Sequence, residues 1–221
     1  MGFCMLNYLG RRAELLRARN ITRVLDIGAN KGQFGHALRN QFGYVHDIVS
    51  FEPLHDAFAV LQQIAAGDQK WTCHNFALGD TDETKIINVS ANSHSSSLLS
   101  VSERSLQIEP SIGYVAKQET KVQRLDRILD RASKPDDNIY LKIDTQGYEM
   151  KVLKGALGVI DRFELIQLET SFFPAYQDQV LISDVIKFLD LLDYRIVSIE
   201  PGWEDPKTRE LLQADLIFRR K

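Results

Sequence analysis

Four acids, a glycine turn and one histidine are the residues of this 221-residue chain whose types and spacing could do chemistry. From Val24 to Gly35 an apolar run carries Asp26 into a turn through Gly28, Asn30 and Gly32, and a helical pattern follows. A strand that breaks into such a turn brings bare backbone against a ligand. Glu52 closes the next apolar run, Ile48 to Pro53, 24 residues beyond Gly28. Acids at that distance bind the hydroxyls of a nucleoside ribose, so the two segments together point to an adenosine-like cofactor.

Spacing inside the turn bears on which cofactor. A dinucleotide fingerprint needs G-x-G-x-x-G to seat a pyrophosphate on the helix N-terminus. Here Asn30 stands at the second glycine, Gly28 and Gly32 are four apart, and Asp26 lies where a dinucleotide fold keeps an apolar residue. An acid there suits a cationic group. S-adenosylmethionine carries an ammonium and a sulfonium and no phosphate, and it matches an acidic, glycine-lined pocket better than NAD does. Two alternatives stay open: an NAD-dependent oxidoreductase, which would share the turn and Glu52, and an S-adenosylmethionine-binding protein without turnover.

A second strand-to-helix segment, Ile139 to Met150, delivers Asp144 beside the glycine turn, at the edge where open α/β sheets bind ligands. Capping of the following helix, by Thr145 or by Asp144 itself, is the competing role. Glu149 is explained by the helix dipole. Glu169 ends the next strand and reaches the same edge. Asp144 and Glu169 could share Mg²⁺, which prefers oxygen ligands, or do acid–base work; a hydrogen-bonded strand-end acid is the bland reading of Glu169. His94, within a serine-rich loop, is the candidate general base for deprotonating an alcohol, with Asp144 its rival. The five histidines form no metal-ligand pair at helical or finger spacing, and no nucleophile elbow or Walker turn is present.

The elements that must position these residues follow from alternating apolar runs and helical patterns, the signature of a βαβ sheet. Strands are expected at 23–27, 47–52, 71–77, 139–144, 163–169, 194–199 and 214–219. Helices are expected near 4–19, 33–41, 55–66, 124–132, 149–160 and 180–192. The last two strands lack a helix between them and can pair as an antiparallel hairpin. Between the third and fourth main strands lies an irregular stretch with short β-like pieces at 85–89 and 120–123 around the Ser95-Ser96-Ser97 cluster. A long loop placed there is expected to contact the ligand. Phe172, Phe173, Tyr176 and Trp203 fall on loops at the same edge, where they offer faces to a sugar ring or pack against the domain.

Net charge −3, 26% charged residues and 44% hydrophobic ones describe an ordinary globular chain long enough for one large core, with no basic excess pointing to nucleic acid. Cys4 and Cys73 form no pattern, which favours a reducing, cytoplasmic setting. No apolar run approaches the roughly 20 residues of a membrane span, and the first residues lack a secretion signal.

From about Val24 to Phe218 the chain resembles the FkbM-type S-adenosylmethionine-dependent methyltransferases. The resemblance rests on Val24 to Gly35, Phe51-Glu52-Pro53, Ala77-Leu78-Gly79-Asp80, Ser95 to Leu99, Arg124-Leu125-Asp126, Lys142 to Glu149 with Val152 to Ala156, and Ala214 to Phe218. It implies an α/β class I methyltransferase fold, a Rossmann-like three-layer sandwich with a seven-stranded mixed sheet whose last strand is antiparallel. Length and pattern lead to the expectation of one domain over residues 1–221, with an N-terminal helix near 4–19 and a lid-like insertion near 85–123. By likeness, Asp26 to Gly32 would surround the methionine part of the cofactor, Glu52 the ribose, and Ala77 with Leu78 the adenine. The implied reaction is O-methylation of a small-molecule or glycan acceptor, at hydroxyls of sugars or polyketide-derived natural products; charge balance and the lack of a long apolar run add the expectation of neither nucleic acid nor a membrane span as partner, and the oligomeric state stays open, a homodimer included.

Overall fold

The computed structural model describes residues 8–221. Seven strands form one sheet: β1 (Arg23–Ile27), β2 (Asp47–Phe51), β3 (Trp71–His74), β7 (Ile139–Ile143), β8 (Phe163–Ser171), β9 (Tyr194–Pro201) and β10 (Gln213–Arg220). Their order is β3-β2-β1-β7-β8-β10-β9. β10 runs antiparallel to both β8 and β9, while the other neighbours pair parallel. The last strand in the chain is thus the antiparallel one, as expected.

β1 and β7 are buried along their whole length, which is why they read as unbroken apolar runs. Leu25 and Ile27 pack on one face with α5 (Leu125–Ala132), α6 (Glu149–Gly155) and α7 (Ile182–Asp190). Val24 and Tyr140 pack on the other with α1 (Tyr8–Ala18), α2 (Gln33–Asn40) and α3 (His55–Ala65). The expected helix at 4–19 lies partly outside the described residues, as does Cys4. Arg12 fastens α1 to the sheet through Glu200 and, at 3.7 Å, Asp215.

Three expectations change. The strand expected at 71–77 breaks at Asn75, whose side-chain amide donates to the carbonyls of Glu52 (2.9 Å) and Pro53 (3.1 Å). The chain then enters a second sheet as β4 (Ala77–Gly79), with β5 (Glu83–Ser90) and β6 (Tyr114–Arg124) in the order β4-β6-β5. The stretch expected as irregular, with short β-like pieces at 85–89 and 120–123, is therefore a small sheet in which those pieces lie within the longer β5 and β6, and it carries the serine loop and α4 (Glu103–Ile108). The helix expected over 149–160 stops at Gly155 and continues as a 3-10 segment, Leu157–Arg162. Among the described residues no helix is long and apolar enough to cross a membrane.

Gly155 lets α6 pack directly on the small sheet, because a Cβ there would lie 1.8 Å from the carbonyl oxygen of Gly79 in β4. Gly155→Ala must part α6 from β4, and chemical denaturation should show a loss on the order of 2 kcal/mol.

Candidate active site

The glycine turn is shaped by what it must approach. Gly28 has φ +76°, its N–H donates to the Phe51 carbonyl at 3.0 Å, and an added Cβ would sit 1.8 Å from the Asp144 carbonyl oxygen. Asn30 is also left-handed, φ 47°, and its N–H donates to Glu52 Oε2 at 2.7 Å. Glu52 Oε1 accepts from the Leu54 N–H at 2.8 Å, and burial pushes the carboxyl up to about 7 against these two hydrogen bonds. The Asn30 side chain donates to the Ser93 carbonyl at 3.2 Å, so the residue that replaces a glycine ties the serine loop to the turn. Gly32 caps α2, with Leu61 and Trp71 filling the space of its missing side chain. It does not line the cavity, where its contact with a cofactor was expected.

Asp26 also departs from expectation. It is fully buried and does not line the cavity, because the pleat that aims Leu25 and Ile27 at one helix layer turns Asp26 to the other. There it faces Lys142, its register partner on β7. Lys142 Nζ lies 2.9 Å from Asp26, 3.2 Å from the Gly28 carbonyl oxygen and 3.7 Å from Asp144. Burial opposes the charge on Lys142, but Asp26 and Asp144 outweigh it and hold the ammonium protonated. Sequence reasoning missed Lys142, since a lysine inside a strand carries no signal of being buried.

Asp144 and Glu169 do come together, with Gln146 between them. Gln146 Nε2 donates to Asp144 Oδ1 at 2.8 Å and to Glu169 Oε2 at 2.9 Å, while Tyr176 Oη donates to Gln146 Oε1 at 2.8 Å and fixes the amide's orientation. An N–H donor thus stands where a shared cation's charge would be. The described residues contain no group of three or more His, Cys, Asp or Glu that could hold a metal, so the pair does not fit the expected Mg²⁺ site. Burial, and then the nearby Asp144 carboxylate, raise the Glu169 carboxyl well above its usual range. Glu149 plays a different part: its Oε1 accepts from the N–H groups of Thr145 (2.9 Å) and Gly147 (3.0 Å), closing the turn that carries Gln146 in the left-handed region. Burial lifts Glu149 to about 7.

These turns surround a cavity of about 250 Å³ at the carboxyl ends of β1, β2 and β7. Gly28, Asn30, Glu52, Asp144 and Glu169 line its polar side, and Phe76, Ala77, Leu78 and Ile87 form an apolar slot. The serine loop makes the remaining wall: Ser97 Oγ donates to the Gln146 carbonyl at 2.6 Å, and Ser96 Oγ to the Ser93 carbonyl at 3.0 Å. This serine cluster is folded on its own hydroxyls, unlike a flexible linker. His94 is exposed at the loop's tip and lines the cavity mouth. A further hollow of about 230 Å³ opens from Gly28, Asn30 and Asp144 toward Lys142 and Asp215.

The profile of the family described as methyltransferase FkbM domain matches residues 26–196. The chain belongs to this family. Among solved structures it is similar to methyltransferase FkbM from Methylobacillus flagellatus KT, with TM-score 0.55 and 16% identity over 89% of this chain and 44% of that one. The chain therefore spans less than half the length of that relative. It is similar also to M. capricolum TrmK in complex with S-adenosyl-homocysteine, with TM-score 0.54 and 10% identity over 98% of this chain and 70% of that one. A third likeness is a putative RNA methyltransferase, PH1948 from Pyrococcus horikoshii, with TM-score 0.51 and 10% identity over 97% of this chain and 83% of that one. At these identities the structures share the fold, a Rossmann-like class I methyltransferase. No curated protein matches the chain in sequence.

Two outcomes follow for the buried charges. Lys142→Met strands Asp26 as an unpaired buried acid and should cost on the order of 3 kcal/mol, most of it recovered when Asp26→Asn is added; a denaturation double-mutant cycle reads the coupling. Glu149 binds its proton near pH 7 when folded and near 4.5 when unfolded. Its contribution is therefore complete below about pH 4.5 and is lost as pH rises through about 7. Since one oxygen accepts both N–H groups, Glu149→Gln keeps them. The variant should match the parent in Tm near pH 5, exceed it near pH 8, and show a shallower slope between.

Proposed function

We propose that the chain is an S-adenosylmethionine-dependent O-methyltransferase acting on a hydroxyl of a sugar, glycan or glycosylated natural product, in the cytoplasm. The observation that carries the reading is the cavity beneath the bare Gly28 backbone, with the buried Glu52 carboxylate at one side and Glu169, a carboxyl raised well above its usual range, at the other. Each Glu52 oxygen accepts one backbone N–H, leaving a lone pair on each for the two ribose hydroxyls. Phe76, Ala77, Leu78 and Ile87 offer an adenine-sized apolar slot. Asp144 faces the sulfonium side of the cavity, and the hollow beyond Gly28 would take the amino-acid end, with Asp215 and Lys142 offering charges of both signs. The two spaces together reach the usual size of small-ligand sites, roughly 300–1,000 Å³.

When bound, the cofactor supplies a methyl group on positive sulfur, released to the acceptor oxygen with S-adenosylhomocysteine as the leaving group. The chain's own task is to align the acceptor, exclude water and take the hydroxyl proton. Both amide donors to Glu169, from Gln146 and from Gln213 at 3.2 Å, go to Oε2. Oε1 has no hydrogen bond among the described residues, and it is the atom that receives the proton. The raised pKa makes Glu169 a better base for an alcohol than an ordinary carboxylate. His94 stands at the mouth as a second acceptor through which the proton reaches solvent.

The test is incubation with labelled S-adenosylmethionine and a panel of glycans and methyl glycosides, with mass analysis for a gain of one methyl. Glu169→Gln should lower kcat by about a hundredfold or more while leaving S-adenosylhomocysteine affinity within about threefold. In the parent, kcat should rise with pH through a midpoint well above the carboxylate range, and Glu169→Gln should remove that limb. A kcat that survives the substitution with its pH profile intact would assign the proton to another group.

A further inference from the structure

Beyond the Gln146–Glu169 pair lies a second cavity of about 320 Å³ that the cofactor reading leaves without a role. It shares His94, Gln146 and Glu169 with the first cavity. Its own wall comes from Trp203 in the β9–β10 connection, Gln213 at the start of β10, and Glu109 and Ser111 after α4, none of them on an element that lines the first, with Asn92 added from the serine loop that borders both.

We propose that this cavity is the acceptor site, that Trp203 is its stacking face, and that it admits a neutral, hydroxyl-bearing ring and refuses anionic acceptors such as sugar phosphates and RNA. The proposal rests on the methyl-transfer reading, to which it adds a place and a selectivity. In-line displacement brings the acceptor oxygen to the methyl carbon from the side opposite the departing sulfur. Donor and acceptor therefore need adjoining spaces with the base at their common boundary, and the residues common to both cavities include two of the three candidate bases, Glu169 and His94.

Lining chemistry sets the class of acceptor. Amides of Asn92 and Gln213, the Ser111 hydroxyl and the Glu109 carboxylate supply donors and acceptors suited to hydroxyl groups, and among the described residues no Lys or Arg lines the cavity. The hydroxyl and backbone N–H of Ser111 hold the Glu109 carboxyl below its usual range, so the rim carries a fixed negative charge. A phosphate would meet that charge with no cation to offset it.

Trp203 is held as a platform. Its carbonyl accepts from the N–H groups of Leu212 (2.8 Å) and Gln213 (3.1 Å). Asp205 Oδ1 fastens the loop by accepting from the N–H groups of Lys207 (2.8 Å) and Thr208 (3.2 Å). Behind the indole, Phe173 lies with ring centroids 6.1 Å apart, and the Arg104 guanidinium covers Phe173 at 4.7 Å. A preordered aromatic face loses little entropy on stacking against a sugar ring. Of the aromatics expected at this edge, Tyr176 is spent on orienting Gln146, and Phe172 is exposed away from the cavity.

The chain has two tryptophans, and Trp71 is a buried reporter hydrogen-bonded to Ser50. Protein labelled with 5-fluorotryptophan and saturated with S-adenosylhomocysteine is titrated with methyl glucoside, galactoside, mannoside and rhamnoside, glucose 6-phosphate and oligouridylate, and followed by fluorine NMR. At least one neutral glycoside should shift the Trp203 resonance saturably and leave Trp71 unmoved, while the phosphate-bearing ligands do neither. Calorimetry should show Trp203→Ala weakening that glycoside by about tenfold or more, with Trp203→Phe, which keeps a ring, intermediate. The proposal is overturned if no neutral glycoside moves Trp203, if the anionic ligands bind there instead, or if both variants bind as the parent does. Binding at Trp203 without methylation of any glycoside would sink the transfer reading and leave the site standing. Methylation with unchanged acceptor affinity in both variants would do the reverse.

Discussion

A single buried ammonium joins the two turns on which the site is built. Lys142 Nζ reaches Asp26 on β1, the carbonyl of Gly28 in the first turn, and Asp144 at the head of the second. Removing two charges from water costs more than an ordinary surface pair repays, so stability alone is a weak reason for such an arrangement. What it supplies is position. With Asp26 balancing it below, Lys142 fixes the Gly28 carbonyl and lets that turn approach the Asp144 backbone to a distance only a glycine allows. Asp26 thus acts on the cavity from beneath, through Lys142.

The second constraint is the amide of Gln146. Glu169 and Asp144 are both acids, and their approach would be unfavourable without a donor between them. Gln146 supplies two N–H groups, Tyr176 holds its carbonyl oxygen, and Ser97 ties its backbone to the serine loop. A side chain in the left-handed backbone region therefore links both carboxylates, the loop that covers one cavity and the aromatic wall of the other. The turn is set by Glu149, whose buried carboxylate oxygen collects the N–H groups on either side of it.

Much of the sheet was legible because its central strands are buried on both faces and flanked by turn residues; β1, β2, β7 and β8 fall close to where apolar runs place them. That same burial hid the direction of Asp26. With apolar neighbours on both sides, alternation carries no signal of which face an acid takes, and its place at a strand end suggested the ligand edge. β5 and β6 show in the sequence only as short pieces because much of their length is exposed and polar. The break after β3 depends on Asn75 meeting the Glu52 and Pro53 carbonyls, a contact across 22 or more residues that no local pattern announces. Glu52, Asp144 and Glu169 were legible from strand ends, and Asn30 from its departure from the glycine pattern. Lys142, Gln146 and Gln213 were not, since each works by contacting residues distant in sequence. That Asp144 and Glu169 do not fit a magnesium site follows from Gln146, whose position between the two acids needed the fold to be seen.

The space between the two turns has to receive a sulfonium cofactor for the site to work as a methyl-transfer centre. Calorimetric titration of the full chain with S-adenosylhomocysteine measures that without an acceptor being known. Saturable binding at one site per chain, lost in Gly28→Val while the circular dichroism spectrum is retained, is the predicted result. Absence of heat with S-adenosylhomocysteine, or saturable binding of NADH in its place, would contradict it.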